Sequence, residues 1–142
     1  DHPAVGVCLD SFHVLSRGHD PAGIEDIPGA KIFYLQLADA PALRMDVLSW
    51  SRHHRLFPGE GAFDLTAFVG HVLAAGYDGP LSLEVFNDTF RQTDPQRTAV
   101  HALRSLRWLL PRAGCVLLLL CAALRWLAGR LCSGNCAEAV LR

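Results

Sequence analysis

A chain of 142 residues, half of them apolar and with a formal charge of −1, holds enough material for one domain with a core. Its charge balance speaks against a nucleic-acid partner, and twelve of its thirteen basic residues are arginine, a mark of GC-rich coding more than of binding. The chain opens Asp-His-Pro with no basic-then-apolar leader, and a strand arrives almost at once, so a fragment lacking the N-terminal part of its fold is expected.

That strand lies in Ala4 to His13 (A-V-G-V-C-L-D-S-F-H), an apolar run too short for a helix that ends in an acid with a histidine three residues on. This is the pattern of a buried parallel strand whose carboxyl end opens into a site. Gly18 then marks a loop, and Asp20 with Pro21 predicts the N-cap and first position of a short helix, ended by Pro28-Gly29. Lys31 to Asp39 (K-I-F-Y-L-Q-L-A-D) repeats the strand plan.

The next stretch, from Ala40 to Gly61, is too rich in charge and turn residues to be one regular element, and long loops inside compact domains usually serve function. Asp64 caps a predicted helix with Leu65, Phe68, Val69, Val72 and Leu73 on one face and Gly76 at its end. Pro80 to Asp88 (P-L-S-L-E-V-F-N-D) is the third predicted strand, and Asp94-Pro95 opens a last amphipathic helix through Leu110. Strands alternating with helices imply a parallel sheet, whose ligands gather at the carboxyl ends of the strands.

From Pro111 the composition changes to a Leu-, Arg- and Cys-rich tail. Its apolar run, Cys115 to Leu124, is too short to span a bilayer. A further packed helix, a membrane-surface helix and sequence foreign to the domain are all open, and the abrupt change favours the last. The domain reading is therefore 1–110 as the folded part and 111–142 as an atypical, helical tail. Cys115, Cys121, Cys132 and Cys136 lack the paired short spacing of a zinc knuckle. Cys8 reads as a small buried hydrophobe in a reducing, cytoplasmic setting.

Each strand carries one metal-capable group near its end: Asp10, Gln36 and Glu84. Any one of them alone reads as a polar group capping a helix or loop. Adjacent parallel strands, however, bring equivalent end positions together, and three hard oxygen donors suit Mg²⁺ or Mn²⁺, with Co²⁺ admissible. His13, just past the first strand, is the natural proton carrier if a metal is held there. Arg52, His53, His54 and Arg55 place cations on the long loop, where arginine forks match a carboxylate or phosphate, although a solvated charged loop reads equally well. Trp50, Phe57 and Phe86 either wall a ring-shaped substrate or pack a lid, and Asn87 and Asp88 either bond a ligand or brace the loop.

The motifs G-V-C-L-D-S-F-H, Y-L-Q-L-A-D-A-P, V-L-S-W-S-R-H-H-R-L-F-P-G-E-G and G-Y-D-G-P-L-S-L-E-V-F-N-D together closely resemble the bacterial 3-dehydroshikimate dehydratases of the xylose-isomerase-like TIM-barrel superfamily, from about Val5 to about Leu110. The resemblance implies that the three strands are the last three of an eight-stranded barrel. It also implies that Asp10, Gln36 and Glu84 are three of four metal ligands, the fourth lying on an earlier strand with no counterpart here.

The implied reaction converts 3-dehydroshikimate to protocatechuate and water, with His13 as proton carrier and Arg55, Arg52 and His53 as substrate contacts. An intact site then needs the missing N-terminal part of the barrel. The alternatives are a sugar or inositol isomerase, epimerase or dehydratase of the same superfamily, and a non-catalytic fragment associating through its open sheet edges.

Overall fold

The computed structural model describes residues 2–114; the last described helix and the core carry the chain through Ala113, while residues 115–142 of the tail, with its four cysteines, lie outside the described residues. Three short strands, β1 (Val7–Asp10), β2 (Ile32–Leu37) and β3 (Leu81–Leu83), form one parallel sheet in the order β1-β2-β3. The helices are α1 (Ser11–Leu15), α2 (Val47–His53), α3 (Leu65–Ala74), α4 (Asp88–Arg91) and α5 (Pro95–Arg112). A 3-10 turn, Pro21–Asp26, stands where a short helix was expected, and a second, Gly29–Lys31, follows it and leads into β2. Among the described residues, no helix is long and apolar enough to cross a membrane.

The helices start where Asx side chains capture free backbone N–H groups. Asp20, Asp64 and Asp94 accept from Ala22, Ala67 and Arg97, as expected. Asp46, whose carboxyl is held below the usual range chiefly by the Ser49 N–H, starts α2 inside the stretch that reads as irregular. Helix α3 ends at Gly76, whose φ of +87° lets the Gly76 N–H reach the Leu73 carbonyl and the Tyr77 N–H reach that of Val72.

The register pairs Leu9 with Leu35 and Leu37 with Leu83, which puts these side chains on one face. Leu35 and Leu37 are fully buried there in a core with Phe68, Val69 and Val72 of α3, Leu109 of α5 and Tyr77. The same register places Asp10 beside Gln36 and Gln36 beside Ser82 on the opposite face. A bond from the Glu84 N–H to the Leu37 carbonyl extends the ladder one step past β3, so Glu84, two residues beyond Ser82, shares that face.

On this second face Tyr34 is exposed, and so is Cys8, contrary to the expectation of a buried thiol. An unbroken apolar run implies cover on both faces; among the described residues the face bearing the leucines holds the main core, and the other is packed at its carboxyl end, where Ala38 is buried with Phe12.

Candidate functional site

At the carboxyl end of β1 the chain turns directly into α1, because Oδ1 of Asp10 accepts the Phe12 N–H at 2.8 Å. Capping and site membership are thus combined in one carboxylate, since the turn it starts carries His13 back over it. His13 Nε2 lies 3.5 Å from Asp10 Oδ2.

Arg55 reaches the same point from the other side. After α2 ends, the Arg55 N–H donates to the Phe86 carbonyl at 3.0 Å, Asn87 Nδ2 donates to the Arg55 carbonyl at 3.0 Å, and Leu56 exchanges two backbone bonds with Asp39. The side chain, 2% exposed, sends Nη1 to Asp10 Oδ2 at 2.9 Å, to Glu84 Oε2 at 3.2 Å and to the Glu84 carbonyl at 3.1 Å. Its Nη2 donates to Ser51 Oγ at 2.8 Å and lies 3.5 Å from His13 Nε2, while Nε donates to the Ser51 carbonyl at 3.0 Å. The guanidinium plane is flanked by the rings of Phe12 and Phe86, at 4.7 and 5.3 Å to their centroids.

Asp10, His13, Arg55 and Glu84 are therefore brought together, with Gln36 on the intervening strand. The Gln36 Oε1 accepts from the Cys8 thiol at 3.4 Å. Partial burial pushes that thiol's pKa up, and the carboxylates of Asp10 and Glu84 push it in the same direction.

The basic cluster on the loop is split. His53 Nδ1 pairs with Asp88 at 2.9 Å, and Arg52 is exposed and makes none of the contacts that Arg55 makes with Asp10, Glu84 and Ser51. Trp50 packs against Phe12 and Phe63, and Phe57 stacks on Phe90, so both act as packing; Phe86, partly exposed beside Arg55, remains at the rim. Asn87 braces the loop and caps α4. Ser51, not expected from the sequence, sits one helical turn before Arg55, and that spacing is the only signal that could have found it.

Two carboxylates face one guanidinium, which leaves one negative charge in excess beside an amide oxygen on the neighbouring strand. Among the described residues no group of three or more His, Cys, Asp or Glu side chains gathers as a metal cluster. In donor type and charge, Asp10, Gln36 and Glu84 fit a hard divalent cation. The Arg55 Nη1 stands where the two carboxylates converge, so a cation held by them would share them with this guanidinium.

The sequence pattern of the xylose isomerase-like TIM barrel matches residues 1–109. The chain is 60% identical over 109 residues to proteins named 3-dehydroshikimate dehydratase from Pseudomonas putida and Pseudomonas aeruginosa, a stretch covering 77% of this chain and 17% of each of theirs. It thus spans about a sixth of the length of these curated relatives. Among solved structures, a xylose isomerase-like TIM barrel/4-hydroxyphenylpyruvate dioxygenase fusion protein superposes with a TM-score of 0.76 at 57% identity, over 80% of this chain and 18% of that one. A parallel β/α sheet with its polar residues at the strand ends, matched over three quarters of its length by one sequence pattern, places this chain in the xylose isomerase-like TIM barrel family as a partial barrel.

Proposed function

We propose that residues 1–110 supply the C-terminal three β/α units of a metal-dependent 3-dehydroshikimate dehydratase, a carbon–oxygen lyase that forms protocatechuate and water. The observation that carries this reading is the 60% identity over 109 residues to two proteins of that name. The meeting of Asp10, His13, Arg55 and Glu84 at the strand ends supports it.

In this reading Asp10, Gln36 and Glu84 hold a divalent cation, Mg²⁺ or Mn²⁺, which when bound supplies a Lewis acid for the substrate ketone. His13 Nε2, half exposed at the mouth, takes the acidic proton next to the ketone. The electron pair left behind expels the β-hydroxyl, which leaves as water after taking up a proton, and loss of a ring proton by tautomerisation completes the aromatic ring. Arg55 anchors the substrate carboxylate through its Nη2, which faces His13 beside its bond to Ser51. Arg52 and His53 contribute at the rim, His53 after leaving Asp88.

The test joins residues 1–110 to the front strands of the P. putida relative and follows protocatechuate absorbance from 3-dehydroshikimate. Chelator-sensitive product formation is expected. A folded, metal-loaded chimera that makes no product, beside an active parent, removes this substrate and moves the reading to the sugar and inositol isomerases.

A further inference from the structure

We infer that Asp39 is a positioning residue for Arg55, acting through the loop 56–63; its relevance to catalysis rests on the reading that Arg55 binds substrate. Asp39 is 1% exposed, and its carboxylate is met by four backbone N–H groups. Oδ1 accepts from Ala40 at 2.8 Å and Phe63 at 3.1 Å, and Oδ2 accepts from Gly59 and Gly61, each at 3.0 Å. Its main chain exchanges bonds of 2.9 and 2.8 Å with Leu56, the residue after Arg55. The Pro58-Gly59-Glu60-Gly61 turn is thus wrapped around a buried charge, and the wrapping begins one residue from the guanidinium.

The arrangement demands an anion and a glycine. Four donors converge on two oxygens, which only a carboxylate offers; an amide in its place turns an NH₂ toward two N–H groups. A Cβ on Gly61 lies 2.3 Å from Asp39 Oδ1 and 2.4 Å from the Ala40 carbonyl, so any side chain there pushes the loop off the carboxylate. A bond-rich loop anchored to the strand that carries Gln36 transmits the position of that strand end to Arg55. Sites built this way keep a side chain within the small tolerance that binding needs.

The readout is the Arg55 Nε–H, held on the Ser51 carbonyl and carrying its own nitrogen-15 resonance. In the 142-residue chain, Asp39→Asn is expected to speed exchange of this proton with solvent by about tenfold or more while the α3 amide signals keep their positions. Gly61→Ala is expected to do the same from the loop's side, and Arg44→Gln, at an exposed position before α2 and outside the 56–63 loop, to leave it unchanged. An Arg55 Nε–H indifferent to Asp39→Asn overturns the inference. So does loss of the α3 signals in both variants, because Asp39 then holds the fold and not Arg55. The readout involves no substrate, so a failure of Arg55 as substrate anchor leaves this result standing and is scored separately.

Discussion

Arg55 and Asp10, 45 residues apart in sequence, meet at 2.9 Å with both side chains shielded from water. Asp10 is also the N-cap of the turn carrying His13, so one carboxylate ties together the guanidinium, the imidazole and the first strand end. The same guanidinium reaches Glu84 on the far strand, which makes Arg55 the bridge across the sheet's carboxyl edge. A residue so placed holds two strand ends and α1 together, and in the proposed reading it also meets the substrate.

Arg55→Ala therefore has two expected outcomes. Removing the cation leaves the Asp10 carboxylate buried without its partner, a loss of about 3 kcal/mol in urea unfolding. In a complete barrel KM for 3-dehydroshikimate rises with a smaller loss of kcat. Unchanged KM at reduced stability assigns Arg55 to the fold alone.

For Glu84→Gln the prediction concerns the metal. One negative charge is lost from a site with one in excess, and the hard anionic donor becomes a neutral amide. In a complete barrel, calorimetric titration with Mn²⁺ is expected to show affinity weakened by about tenfold or more, with turnover lost. An unchanged titration removes Glu84 from the ligand set.

The strand ends were legible because each apolar run stops at a polar residue, and Asp20, Asp64 and Asp94 were legible as caps because each precedes proline or an amphipathic run. Helix α2 was not: Leu48 and Trp50 are embedded among Arg44, Arg52, His53 and Arg55, and that charge masks the period that Asp46 initiates. Nor could local pattern single out Arg55 from Arg52, since what distinguishes them is a contact with strands 45 and 29 residues away. Cys8 was misread for a related reason, because apolar character in a strand does not say which face has a neighbour.

Asn87→Ala tests how far the loop depends on one side chain. The amide accepts from the Thr89 and Phe90 N–H groups and donates to the Arg55 carbonyl, so truncation uncaps α4 and leaves the Arg55 carbonyl without that donor. A loss of about 1–2 kcal/mol in chemical unfolding is expected. A loss well below that means that water replaces all three bonds.

Tyr77 gives the chain an alkaline limit. Its ring is 5% exposed in the core, and its hydroxyl donates to the Pro80 carbonyl at 2.7 Å. Burial, first, and the nearby Tyr34 push its pKa above the ordinary value of 10.0. With the folded pKa above the unfolded one, the folded state retains a proton that the unfolded state releases. The contribution of Tyr77 is therefore fully present below about pH 10 and is lost as pH rises through the folded value. Tyr77→Phe is expected to cost about 1 kcal/mol near neutrality, for the lost hydrogen bond, and to flatten the fall in stability above pH 10. Equal alkaline slopes in the two proteins place the titrating group elsewhere, because no phenol remains at position 77 to release the proton.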